Sequence, residues 1–226
     1  MPFQAVVVGH TGATGSKLVT ELLNRGWSVT CVGRQASVDA RARSVVVADL
    51  LQVSSSTRAE DWTCDWFFNC IGTTRAIAGS GEAFLRIEKD MSVETNKMAK
   101  AAGVRHASVV SAQSSSASAP QWLWFHPVLY AHAMHAKEEA STSQGFASVT
   151  VFRPGMLDRE KSDRGHSAML NLLGNVLGAL PVSTLARAMA VDAEAKLSSS
   201  PSGAAMEKVT YVSGNPSITA LAQRLS

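Results

Sequence analysis

Ala5-Val6-Val7-Val8-Gly9-His10-Thr11-Gly12-Ala13-Thr14-Gly15-Ser16-Lys17-Leu18-Val19 decides the fold of this chain. Four apolar residues run into three glycines spaced three apart, and Leu18, Val19, Leu22 and Leu23 then share one helix face. A strand that enters a helix through G-x-x-G-x-x-G meets the context requirement of a dinucleotide-binding turn. The first glycine permits the tight turn, the second lets backbone approach a pyrophosphate, and the third allows the helix to pack closely on the strand. The N–H groups at the helix N-terminus then face the anion. Gly9, Thr11, Gly12, Ala13, Thr14 and Gly15 are therefore the first candidate cofactor residues. A glycine-rich turn with no ligand is the plain alternative, and the strand before and helix after weigh against it.

Outward from this turn, apolar runs at 5–8, 28–32, 44–47, 66–71, 106–110, 149–152 and 209–212 alternate with helix-period segments at 16–24, 91–102 and 130–140. That alternation predicts a doubly wound parallel α/β sheet. Continuous rather than alternating valines imply strands buried on both faces. Ser-rich patches at 54–56, 114–118 and 198–202 read as loops at element junctions, none long enough for an interdomain linker. A single domain over residues 1–226 follows, with a small substrate-side region within 154–205. The apolar stretch 168–180 carries Asn171 and Asn175 and stops at Pro181, which reads as a packed helix rather than a membrane span.

The composition narrows the function classes. With 226 residues, 46% hydrophobic and 17% charged, the chain is suited to one sizeable core and not to extended disorder. Its net charge is only +3 and its basic residues form no run longer than two, so electrostatic capture of nucleic acid is not expected. Cys31, Cys64 and Cys70 form no C-x-x-C pair and read as reduced cysteines. The first strand begins too near Met1 for a secretory signal or transit peptide to precede it, which gives a cytoplasmic expectation.

The second strand ends at Gly33-Arg34, where an NAD-specific site offers an acid to the adenosine ribose. Arg34 instead suits a 2′-phosphate, so the sequence favours NADP(H) over NAD(H), unless Arg34 is an ordinary solvated arginine. Asp49 and Leu50 after the third strand are placed as a wall for the adenine, and Cys70, Ile71 and Gly72 close the fourth strand beside the cofactor.

Three blocks carry a family resemblance. They are residues 9–15, then Cys70-Ile71-Gly72-Thr73-Thr74-Arg75 with Ala78-Gly79 following, then Val151-Phe152-Arg153-Pro154-Gly155. On these the chain resembles the atypical short-chain dehydrogenases/reductases, in particular the Tat-interacting oxidoreductase branch. The likeness covers residues 3–160 well and fits more loosely over 181–190 and Tyr211-Val212-Ser213-Gly214. It implies a Rossmann sheet, NADP(H) binding that extends to Thr73, Arg153, Pro154 and Gly155, and a Ser, Tyr and Lys catalytic set with Y-x-x-x-K spacing.

By that resemblance Ser111, at the end of the fifth strand, is the catalytic serine, with Ser114 as a nearby substitute. Tyr130, one of only two tyrosines, is the acid/base that trades a proton with the substrate oxygen and also faces the cofactor. The departure is Met134, which stands four residues after Tyr130 where the family has lysine, while Glu138 keeps the register. A lysine about 6 Å from the phenol favours its anion by about two pKa units at an effective dielectric near 20. Lys137 lies two turns from Tyr130 and is expected to be solvated rather than a replacement.

Other features are weaker. His126, His132 and His135 cluster near Tyr130, but no further ligand set accompanies them and no metal is expected. Trp122, Trp124 and Phe125 either roof the nicotinamide or an apolar substrate, or belong to the core or a partner surface. Glu138 and Glu139, being adjacent, point to different parts of a helix surface, which argues against a paired-carboxylate hydrolase.

Two functions remain. One is an NADP(H)-dependent oxidoreductase acting on a small carbonyl or alcohol, with low turnover because of Met134. The other is a nucleotide-binding accessory subunit that has lost catalysis, held by a protein partner within a larger assembly, an organellar or mitochondrial one included.

Overall fold

The computed structural model describes residues 2–118, 126–158, 178–199 and 208–224. In chain order the strands of the main sheet are β1 (Gln4–Val8), β2 (Ser28–Gly33), β3 (Arg43–Val46), β4 (Trp66–Asn69), β5 (His106–Val110), β6 (Ser148–Arg153) and, after the two-residue β7 (Leu157–Asp158) and β8 (Leu180–Pro181), β9 (Val209–Ser213). The principal helices are α1 (Ala13–Asn24), α2 (Val53–Ser56), α3 (Arg75–Ala78), α4 (Gly81–Leu85), α5 (Met91–Ala101), α6 (His126–Thr142), α7 (Val182–Ser199) and α8 (Asn215–Ala222).

The seven strands lie in the order β3-β2-β1-β4-β5-β6-β9, and every pairing is parallel. This is the doubly wound Rossmann-type sheet that the strand pattern predicts. Its order reverses between β1 and β4, and ligands bind such sheets at the carboxyl ends of the strands on either side of that switch.

Alternate residues of each strand feed two cores, which is why the apolar runs are continuous. Ala5, Val7, Trp66 and Phe68 pack with Leu18 and Leu22 of α1, Leu185 and Met189 of α7, and Ile218 of α8. Val6, Val8, Phe67, Val149 and Val151 pack on the other face with Val53 of α2 and Ala99 of α5. Buried tryptophans keep a partner for their indole N–H. Trp66 donates to Ser108 Oγ at 2.9 Å, Trp62 to Thr57 Oγ1 at 2.8 Å and Trp27 to Glu194 Oε1 at 2.9 Å.

Two segments depart from the sequence reading. The helix α7 lies in a stretch that the pattern left unassigned, and its alanines are what let it pack flat on the sheet, with Ala186, Ala188, Ala190 and Ala193 each 1% exposed or less. The run ending at Pro181 was expected to be helical to its end, but Gly178 adopts φ +67° and Leu180–Pro181 pairs as a strand with Leu157–Asp158. Residues 168–177, Trp122, Trp124, Phe125 and, of the expected substrate-side region, 159–177 and 200–205 lie outside the described residues. No described helix is long and apolar enough to cross a membrane.

Candidate functional site

At the β1 end of the switch, Gly9 leaves the strand at φ +75°, and a Cβ there would come within 2.3 Å of the Cys70 carbonyl oxygen. A Cβ on Gly15 would lie 2.2 Å from the Gly9 oxygen. Both glycines are therefore required by backbone packed on backbone. Gly12 differs: a Cβ would meet only the Gly9 oxygen, at 3.2 Å, and the residue is exposed. It caps α1, donates its N–H to the Gly9 oxygen at 3.0 Å, and is followed by a first turn with no acidic residue. The open side of the turn thus presents bare backbone and an unopposed positive helix end, which fits the pyrophosphate of a dinucleotide. Thr11 beside it is exposed, and Ala13 and Thr14 are half-buried.

His10 ties this turn to β2. It is 3% exposed, its Nε2 lies 2.9 Å from the Gln35 carbonyl oxygen, and its ring fills the space a Gly33 side chain would need, with Cε1 2.7 Å from that Cβ position. Arg34, between Gly33 and Gln35, is exposed at the carboxyl end of β2. Farther along, Asp49 Oδ1 accepts the Leu51 N–H at 3.0 Å and its Oδ2 lies 3.7 Å from Arg86, while Leu50 is 7% exposed within the second core.

The β4 end is tied from below. Cys70 and Ile71 are buried, and burial pushes the Cys70 thiol up to about 12, which leaves it an inert apolar group. Thr73 donates its N–H to Glu88 Oε1 at 2.8 Å, and Glu88 Oε2 accepts from Lys137 Nζ at 3.1 Å. The same ammonium donates to the Ile71 carbonyl. Lys137 and Glu88 have side chains 2% exposed, so the expectation that Lys137 is solvated is overturned. The helix carrying Lys137 faces the 71–74 loop, and the buried carboxylate with the loop carbonyl satisfies a charge that water otherwise would.

Ser111 is 5% exposed and donates its hydroxyl proton to Glu138 Oε1 at 2.5 Å. Arg153 grips that carboxylate with two bonds, Nε to Oε1 at 2.8 Å and a terminal nitrogen to Oε2 at 2.6 Å. Its guanidinium also sits 4.4 Å from the ring centre of Tyr211. Arg153 thus works within this network, while Pro154 and Gly155 are held through their own main-chain groups: the Gln113 N–H donates to the Pro154 oxygen at 2.9 Å and the Gly155 N–H to the Asn215 side-chain Oδ1 at 2.9 Å. On the same sheet edge an open cavity of about 630 Å³ is lined by Gln113, Asn215, Thr219 and Gln223.

Tyr130 lies on α6 with its ring stacked on Phe84 at 6.1 Å. It packs against a cluster formed by Phe84, Ala112, Leu129, Ala133 and Met134, which also brings in the residue after Ser111. Met134 is 3% exposed there. Nearby His132 has its imidazole held below its ordinary range, first by desolvation and then by neighbouring Lys89 and His135. Among the described residues no three His, Cys, Asp or Glu side chains gather as metal ligands.

Glu88, the burial of Lys137 and the pairing of Glu138 with Arg153 are what sequence reading missed. A signal was present: Lys137 and Glu138 stand between Ala136 and Ala140, small residues that mark a helix packed on more than one side. His10 carried none, since nothing local to the turn says where its ring goes.

Comparison with known proteins accords with this geometry. Residues 9–190 match the family described as NAD(P)H-binding. The chain is 29% identical over 197 residues to protein HTATIP2 of Rattus norvegicus, covering 81% of this chain and 78% of that one. It is 31% identical over 163 residues to the protein fmp52-2, mitochondrial, of Aspergillus terreus, covering 70% and 69%. The UDP-glucose 4-epimerase of Brucella ovis, solved in complex with NAD, shares the fold at a TM-score of 0.70 and 12% identity, over 95% of this chain and 78% of that one.

Proposed function

The chain belongs to the NAD(P)H-binding family that residues 9–190 match, and on that premise we propose an NADP(H)-dependent carbonyl or alcohol oxidoreductase of low turnover. The observation that carries the reading is the turn at Gly12, which presents bare backbone and the start of α1 to a dinucleotide, and Met134, buried in the apolar cluster that Tyr130 packs on, is the reason turnover is low.

The backbone around Gly12 and the first turn of α1 hold the pyrophosphate, and Arg34 at the β2 edge pairs with a 2′-phosphate. The bound dinucleotide supplies or accepts hydride at its nicotinamide. Tyr130 exchanges the proton on the substrate oxygen. Because Ser111 gives its own proton to Glu138, its Oγ is left as an acceptor, which suits a substrate hydroxyl better than a carbonyl oxygen. The methionine at 134 brings no charge that would favour the phenolate, so proton transfer is slow near neutral pH.

A second reading, a nucleotide-binding accessory subunit, is supported by the same two features, the engaged Ser111 and the missing lysine. The mitochondrial naming of fmp52-2 supports an organellar association for either reading. Calorimetry with NADPH and NADH tests the cofactor assignment. Tighter NADPH binding that Arg34→Ala narrows is expected, and equal affinities for the two nucleotides contradict it.

A further inference from the structure

Three described arginines are half-buried: Arg25, Arg75 and Arg153. Two are neutralised, Arg25 by Glu21 and Glu194 and Arg153 by Glu138. Arg75 has no carboxylate within ion-pair distance among the described residues, and its buried Nε has no hydrogen-bond partner. A guanidinium taken partly out of water without a counter-ion is costly, and the cost is offset when an anion arrives.

The placement of Arg75 says which anion. It opens α3, directly after the 71–74 loop at the carboxyl end of β4, on the ligand edge of the sheet. The single turn is fixed at both ends, by Thr74 Oγ1 accepting the Ile77 N–H at 3.2 Å and by Gly79 at φ +84°. Arg75 and Ala78 stand three apart and share a face, and Ala78 packs on the cluster that holds Tyr130, Phe84 and Met134. Arg75 therefore shares a face with a residue that packs on the same apolar cluster as the tyrosine.

We propose that Arg75 is the anion-recognition residue of the substrate site, binding a carboxylate of the substrate beside Tyr130. The planar fork of a guanidinium matches a carboxylate through two parallel N–H donors. A 2-oxo acid or 2-hydroxy acid places such a carboxylate next to the carbon that exchanges hydride. The assignment rests on the oxidoreductase reading above. A cofactor phosphate offers the same oxyanion chemistry, and the experiment separates the two.

The NADP⁺-saturated chain is titrated by calorimetry with phenylglyoxylate and with its methyl ester, which differ in the charge beside the same ketone. The acid is expected to bind about tenfold tighter or more, and Arg75→Gln is expected to erase that margin while NADP⁺ affinity stays within about twofold. Arg75→Lys retains part of the margin. Phenylglyoxylate that binds no better than its ester, or not at all, overturns the assignment. So does a loss of NADP⁺ affinity of about tenfold in Arg75→Gln, which gives the guanidinium to the cofactor. A wild-type chain that binds no NADP⁺ defeats the cofactor reading instead, and the same titration on the nucleotide-free chain still reads the anion preference.

Discussion

The hydroxyl of Ser111 donates to the carboxylate of Glu138 across 2.5 Å, at a point where Glu138 is already held in a two-pronged grip by Arg153. The serine's proton is committed inward, so β5, α6 and β6 are fastened to one another through a single carboxylate. Removing either member of the Arg153–Glu138 pair should not cost the same. Arg153→Met leaves a carboxylate 3% exposed without its cation, whereas Glu138→Gln leaves an arginine that is 27% exposed and can turn to water. Urea unfolding should show Arg153→Met losing about 3–5 kcal/mol and Glu138→Gln less. The reverse order would mean that the pair is not the fastening described.

The glycine turn makes a second asymmetric test. At Gly12 the backbone adopts φ −79° and ψ 168°, open to any residue, and Gly12→Val should cost about 1 kcal/mol of stability while filling the space proposed for a pyrophosphate. Gly15→Ala forces a methyl onto the Gly9 oxygen and should cost about 3 kcal/mol. Thermal shift on adding NADPH reads the difference. If Gly12→Val keeps the full wild-type shift, the cofactor does not lie on this turn.

Met134→Lys should raise carbonyl reduction by about 10- to 100-fold over a low wild-type rate, since an ammonium about 6 Å from the phenol favours its anion by about two pKa units. The gain should come with a lower Tm, because the new charge enters a cluster in which Met134 is 3% exposed. NADPH consumption over a panel of carbonyls measures it, with Tyr130→Phe as control. Brisk wild-type turnover that survives Tyr130→Phe would remove the tyrosine from its role. Inactivity of both proteins, with a stoichiometric partner recovered, favours the accessory-subunit reading.

Stability should also fall on mild acidification. His106 is half-buried, stacked on Trp66 at 5.3 Å and hydrogen-bonded to Ser148 at 3.0 Å. Desolvation first, then Arg105 and Lys196, hold its imidazole below the ordinary 6.5, and His132 is held down in the same sense. The unfolded chain takes up these protons as the pH drops through 6.5 and the folded chain resists them. Their stabilisation is therefore complete above 6.5 and declines below it. Tm should drop between about pH 7 and pH 5.5, and the double variant His106→Gln, His132→Gln should flatten that part of the curve. An unchanged slope in the double variant would assign the acid sensitivity elsewhere.

The β1 turn and helix were legible because most of their information is local: valines on both faces of a strand, then Gly12 and Gly15 set against Gly9 and His10, although Gly9 itself is required by Cys70 on the neighbouring strand end. The sheet class followed from the same periodicities. What escaped was decided by partners far along the chain. Lys137 read as a solvated cation because its carboxylate, Glu88, lies 49 residues away on another helix. Glu138 and Arg153 were each noticed singly, for register and for the family block, and only folding shows that they meet on the serine. The helix α7 was missed for a different reason: its buried side is largely alanine, which gives a weak apolar stripe although Leu185, Met189 and Val191 bury well.

The pairing of β6 with β9 joins Val149 to Val209 and Arg153 to Ser213 across some sixty residues. During synthesis β6 therefore emerges well before its outer neighbour, and for that interval its free backbone row belongs to a strand whose first five residues are all buried in the finished protein. A flat, apolar, unpaired strand is a template for self-association. The terminal strand is thus also a protective cover, and the nascent chain is most vulnerable to aggregation, and most dependent on chaperones, between completion of β6 and arrival of β9.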